Sequence, residues 1–239
     1  MTTAYFDCFS GVAGDMILGG YINLGMNNTF FKEEIKKLKL KGYTIKIKKI
    51  EKNGYVASDV TIIVEEEQPL RTLTDIHKLI EDSGLKTQVK TLSKKIFYTL
   101  AKAESTVHHC AIEDVHFHEV GAVDSIIDIV GSAIGIDYFR IDEVYCSSLP
   151  LGSGFVICQH GRLSVPTPAT IELLKGIPTY ELDSGHEMVT PTGAAILTTI
   201  CSNFNEKPEL VHKKIGYGAG KIKSSQPGVL KIVLGEKTK

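Results

Sequence analysis

Hydrophobic spacing along this chain switches between a strand period and a helix period without regular alternation, which limits it to folds mixing sheet and helix. Thr3 to Phe6 is a short apolar run that reads as a strand. It leads into the turn-forming Ser10-Gly11-Val12-Ala13-Gly14-Asp15, and then into Met16, Ile17, Leu18, Tyr21 and Leu24 at helical spacing. Phe30 to Leu40 alternates apolar and lysine positions as a surface helix would, whereas Tyr43, Ile45 and Ile47 alternate with Thr44, Lys46 and Lys48 as a half-buried strand. Asn53-Gly54 is a turn dipeptide between that strand and Val56 to Val64, so a hairpin with one solvated face is expected. After the connector Glu65-Glu66-Glu67-Gln68-Pro69, Thr74 reads as the N-cap of a helix over 75–82. Further helices are expected over 87–107 and 124–138, with two short ones entered through prolines over 167–175 and 191–201, and a closing strand over 229–234. The fold class expected is α+β, with mixed sheets, packed helices and a loop-rich second half. Residues 1–70 read as an N-terminal α/β segment with a glycine loop and hairpin. Residues 71–239 read as a helical region carrying histidine, glycine and proline motifs, continuous with the first segment as one domain.

Composition narrows the partners. A formal net charge of -1 provides no global field to draw in nucleic acid or an anionic membrane. Nine lysines fall between Lys32 and Lys52, but the whole chain has three arginines (Arg71, Arg140, Arg162), and planar bidentate phosphate recognition favours arginine. The lysine run therefore reads as a solvated face. Five cysteines (Cys8, Cys110, Cys146, Cys158, Cys201), odd in number and never spaced C-x-x-C, argue against a disulfide framework and fit a reducing cytoplasm. The start shows no secretory signal, and the most apolar stretch, Ile126 to Ile136, is about half a membrane span and contains Asp128.

Functional chemistry concentrates in a few segments. In Val115-His116-Phe117-His118-Glu119-Val120-Gly121-Ala122-Val123-Asp124, an extended backbone would put His116 and His118 on one face, with Asp124 and Asp128 four apart on the next helix. Imidazole suits Ni²⁺, Zn²⁺ and Cu²⁺, and a carboxylate beside it can be a ligand or fix the tautomer. His108 lies just upstream. Core packing or surface exposure of these histidines is the structural alternative. Ser10, Gly11, Gly14 and Asp15 sit between a strand and a helix, where backbone N–H groups and the helix dipole favour an anion. Asp7 and Asp15 would repel a phosphate there unless a cation intervenes. Thr190, Thr192 and Gly193 supply hydroxyls and N–H groups at another helix start, although Thr190 is equally suited to plain capping. Arg162 could grip a phosphate or close a hairpin salt bridge. Cys8 is read as a buried small hydrophobe, with ligation to a soft metal as its alternative. Gly216-Tyr217-Gly218-Ala219-Gly220-Lys221 fails the Walker pattern, having Ile215 where a glycine and Ile222 where a Ser or Thr is needed.

Taken together, FDCFSGVAGDM, VHFHEVGAVDSIIDIVG, LPLGSGF, HGRLSVPTPATIELLKG and EMVTPTGAA resemble the nickel-insertion proteins of the nickel-pincer cofactor pathway, the LarC family. The resemblance implies insertion of Ni²⁺ into pyridinium-3,5-bisthiocarboxylic acid mononucleotide, a cyclometallase-type lyase activity that consumes CTP and serves lactate racemase-type enzymes. It implies Ni²⁺ and CTP as ligands, the latter through a C-terminal domain that this chain lacks and that a separate chain or domain would provide. Mg²⁺ or Mn²⁺ could join them, and a homo-oligomer is an open option. The site expected from the motifs has His116, His118, Glu119 and Asp124 in metal or acid–base roles, with His108 as a further ligand. In that scheme Ser10, Gly11, Gly14, Asp15, Thr190, Thr192 and Gly193 hold the substrate phosphate. A nickel-binding metallochaperone without catalysis and a metal-dependent hydrolase are the rival readings.

Overall fold

The computed structural model describes residues 1–117, 122–158, 161–222 and 226–238, with His116 described for its backbone alone. Strand β1 (Thr2–Asp7) leads through the glycine loop into α1 (Gly14–Leu24), and α2 (Asn28–Lys36) follows, its N-cap Asn27 accepting from the Phe30 N–H. The period-two segment forms the hairpin β2 (Tyr43–Lys52) and β3 (Tyr55–Val64), with Asn53 and Gly54 at positive φ in its turn. Short β4 (Arg71–Thr72) precedes α3 (Leu73–Glu81) and α4 (Thr87–His108). The N-cap of α3 is Thr72, not Thr74: Thr72 and Asp75 close a reciprocal capping box, which fixes the start two residues earlier than spacing alone suggests.

The second half begins with β5 (His116–Phe117), paired with β4, and the apolar helix α5 (Val123–Phe139). It continues through β6 (Ile141–Cys146), β7 (Leu149–Leu151), β8 (Phe155–Cys158), β9 (Gly161–Ser164), α6 (Pro168–Leu173), β10 (Thr179–Glu181) and α7 (Pro191–Ile200). It ends with β11 (Asn203–Phe204), β12 (Leu210–Ala219) and β13 (Val229–Lys237). Seven strands make one mixed sheet in the order β11-β6-β1-β13-β12-β3-β2, beside three two-stranded sheets. The architecture is α+β, as expected.

Strand β1 runs parallel to β6 and antiparallel to β13. Its alternate residues serve opposite faces: Ala4 and Phe6 enter the main core, and Tyr5 joins a small cluster with Tyr145 and Val233. Helix α1 packs flat on β12, where a Cβ on Gly218 would lie 1.7 Å from the Met16 carbonyl oxygen. The glycine-rich segment at 216–220 is thus mainly a strand that lets a helix backbone approach, which explains its failure as a nucleotide loop. Helix α5 is buried along most of its length between α1 and α4. No helix among the described residues is long and apolar enough to cross a membrane.

Candidate functional site

The loop after β1 turns sharply because Gly11 holds φ at +87°, and its N–H donates to the Cys8 carbonyl. No side chain would fit: a Cβ on Gly11 would lie 2.1 Å from the Met188 carbonyl oxygen. That closeness comes from a backbone clasp. Val12 N–H donates to Met188 O (2.8 Å) and Thr190 N–H donates to Val12 O (3.1 Å), which ties the first loop to the entrance of α7. A third segment joins them through Ser10, whose hydroxyl accepts from the Gly228 N–H at 3.2 Å.

Between these segments lies a cavity of about 200 Å³ lined by Ser10, Ala13, Asp15, Met16, His186 to Met188, Thr190, Gly220 to Ile222 and Gly228. Its walls are largely apolar. Helix α1 starts there behind Ala13, which makes no side-chain cap, so the first-turn N–H groups have no capping oxygen from it. Asp15 is not the N-cap; it stands in the first turn of α1. The His186 Nδ1 lies 2.8 Å from the Ser184 carbonyl, which can only accept, so Nδ1 is the donor.

Two acids dominate the electrostatics. Burial raises the Asp15 carboxyl above its ordinary range, with Lys221 acting against the shift. Asp128, on α5, is raised much further, first by burial and then by Asp15 and Asp124. The Oδ1 atoms of both are shut off from solvent without a hydrogen-bond partner. Lys221 Nζ lies 3.6 Å from Asp15 but is engaged by Asp59 (2.6 Å), the Val60 carbonyl (2.7 Å) and the Thr61 hydroxyl (2.7 Å).

The expected phosphate residues thus divide. Ser10, Asp15 and Thr190 meet at the cavity, with Gly11 and Gly14 shaping the backbone behind them. The Thr190 Oγ1 caps α7 by accepting from the Gly193 N–H, so Gly193 has that donor occupied, and Thr192 is buried beside it. Among the expected metal residues, His118 and Glu119 lie outside the described residues, and His116 is placed by its backbone pairing with Thr72. Asp124 is exposed in the first turn of α5, and His108 ends α4 at 3.4 Å from Glu104. Among the described residues no three His, Cys, Asp or Glu side chains are arranged to hold a metal ion. Among the described residues Arg162 neither closes a salt bridge nor reaches the cavity lining; its guanidinium stacks 3.8 Å over Phe155 across the β8–β9 hairpin. His186 joins the site without having been singled out, and Glu187, Met188 and Lys221, which stood in quoted motifs without a role there, join it because the tertiary clasp brings them together.

Residues 4–239 match the family model described as nickel insertion protein. A Dictyoglomus thermophilum protein whose name refers to nickel insertion is 48% identical over 236 residues, covering 99% of this chain and 61% of that protein. The pyridinium-3,5-bisthiocarboxylic acid mononucleotide nickel insertion protein of Acetivibrio thermocellus is 46% identical over 246 residues, covering 98% of this chain and 60% of that protein. A protein of the same name from Desulfitobacterium hafniense is 42% identical over 236 residues, covering 99% and 59%. The chain therefore spans about three-fifths of the length of these relatives. No solved structure matches.

Proposed function

Because this chain belongs to the nickel insertion protein family, we propose that it takes part in placing Ni²⁺ into a pyridinium-3,5-bisthiocarboxylic acid mononucleotide. The cavity at the start of α1 is the observation that carries this reading. Ala13, Met16, Met188 and Ile222 offer apolar walls to a flat ring, while Ser10, Thr190 and the first-turn N–H groups of α1 offer donors to a phosphate. About 200 Å³ is less than a whole mononucleotide needs, so the cavity takes one end of the substrate and leaves the rest over the rim at 220–222.

In this reading nickel is cargo. His116, His118, Glu119 and Asp124, with His108, hold the ion until the thiocarboxylate sulfurs displace them; the soft ligands favour the transfer. His186, in the cavity lining, offers a further imidazole along the way. Protein and substrate exchange ligands, so moderate nickel affinity is expected. The reaction is a CTP-dependent, cyclometallase-type lyase step, carried out in the cytoplasm with a C-terminal region of the kind the longer relatives have room for.

Nickel titration of the chain beside a His116→Ala, His118→Ala double variant tests the metal assignment. Loss of binding in the variant, with unchanged far-UV circular dichroism, is the expected result. Equal binding by both chains would move nickel elsewhere and leave those histidines structural.

A further inference from the structure

The Asp128 side chain reaches across from α5 onto the first turn of α1 and rests on Gly14. A Cβ at residue 14 would lie 2.5 Å from Asp128 Oδ2 and 2.6 Å from its Cβ, so this approach requires a glycine. Asp15 is the next residue, and it lines the cavity. The two carboxyls thus flank the start of α1, Asp15 in the cavity lining and Asp128 against Gly14, each with an Oδ1 that touches neither solvent nor any donor. Lys221 approaches Asp15 only at Oδ2, at 3.6 Å. An ammonium has three donors, and Asp59, the Val60 carbonyl and the Thr61 hydroxyl take all three.

Two desolvated carboxyls whose Oδ1 atoms receive no donor are unfavourable as anions unless further positive charge completes the arrangement. We propose that Asp15 and Asp128 hold a hard divalent cation of the Mg²⁺ class, which bridges them to the phosphate of the ligand in the cavity. The choice of cation follows from the donor set. Mg²⁺ and Mn²⁺ are commonly held by one or two carboxylates, several waters and a substrate phosphate, with no complete protein cage. A site with only two protein ligands is therefore compatible with the absence of any three-residue metal cluster among the described residues. Nickel, the softer ion, is drawn to imidazole and sulfur, so the two cations can be sorted between sites. The cation also resolves the conflict in the loop itself, where Asp15 would otherwise repel the phosphate that the N–H groups of α1 attract. The bridging role rests on the substrate reading proposed above, whereas the cation site itself does not.

Mn²⁺, followed by electron paramagnetic resonance, is the probe, titrated alone into the full chain and into two variants. Saturable binding of one ion is expected in the parent. Asp128→Asn, isosteric and uncharged, should weaken it by about tenfold or more. The His116→Ala, His118→Ala chain should bind Mn²⁺ as the parent does. Nicotinic acid mononucleotide, a pyridinium nucleotide with one phosphate, should tighten Mn²⁺ binding in the parent, and its phosphate-free riboside should not. Asp15→Asn serves as the second carboxylate variant, and the thermal midpoint of each metal-free variant checks that it folds. Absence of saturable Mn²⁺ binding, or equal binding by the parent and both carboxylate variants, would overturn the site. Loss of Mn²⁺ in the histidine variant would overturn it too, by placing the ion among the imidazoles. If Mn²⁺ depends on Asp128 but the mononucleotide has no effect, the cation site stands and the bridge falls. Nickel binding unaffected by the histidine substitutions would count against the functional reading alone.

Discussion

At the scale of single residues, Cys8 shows how burial decides chemistry. Its Sγ lies 3.6 Å from that of Cys146, and both residues are fully buried at the ends of β1 and β6. Burial raises both thiols well above their ordinary values, and their mutual contact adds to the rise at Cys8. Alkylation needs the thiolate and a path for the reagent, and neither thiol has either. N-ethylmaleimide at neutral pH should therefore leave Cys8 and Cys146 unmodified in the native chain and label both in urea, as read by peptide mass spectrometry. Native labelling at the unfolded rate would show that this part of the core opens. The small-hydrophobe reading of Cys8 was accessible from sequence because one such cysteine beside an apolar strand is usually packed. Its pairing with Cys146 was not, since 138 residues separate the two. Lys221 was hidden for the same reason, and Asp128, visible in sequence as the partner of Asp124, turns instead toward Gly14 and Asp15 through the packing of α5 on α1.

Elements were legible where one face repeats. Helices α1, α4 and α5 and the β2–β3 hairpin follow apolar spacing almost residue for residue, because each buries one regular face or, in α5, nearly all of it. Strand β12 escaped notice. Its inward positions include Gly216 and Gly218, which carry no hydrophobic signal and serve to let α1 approach backbone to backbone. That arrangement makes a sharp demand. Gly218→Ala would press a methyl into the Met16 carbonyl and the Gly20 amide, so helix and strand must separate, at a cost of about 1–3 kcal/mol typical of overpacking. Gly84→Ala, whose Cβ would meet nothing closer than 3.7 Å, should change stability by about 0.5 kcal/mol or less. Urea midpoints of the two variants provide the comparison. A Gly218→Ala chain as stable as the parent would mean that α1 does not rest on β12 as described.

Across the whole molecule, the two ends of the chain meet in the middle of the sheet, with β1 hydrogen-bonded on one side to β6 and on the other to β13. One apolar cluster runs from Ala4 to Leu234 and includes Ile96, Phe97 and Leu100 of α4 as well as Leu230 and Ile232 of β13. A boundary near residue 70 would have to cut through that cluster, so residues 1–70 and 71–239 are expected to unfold together. Ile232→Ala tests this at a distance. Ile232 is fully buried and its Cδ1 would lie 2.5 Å from a Cβ on Gly20, so truncation removes packing against α1 at a cost of about 2–5 kcal/mol. The chain has no tryptophan, so far-UV circular dichroism and hydrogen exchange are the suitable probes. If the chain is one cooperative unit, the most protected amides of α4 should lose as much protection as those of β1 and β13, because all of them exchange through the same global opening. Retention of full protection in α4 while the sheet weakens would instead divide the molecule into two separately stable parts, and the cavity between the β1 loop, the α7 entrance and the residues Gly220 to Ile222 and Gly228 would then lie on the sheet's side of that division.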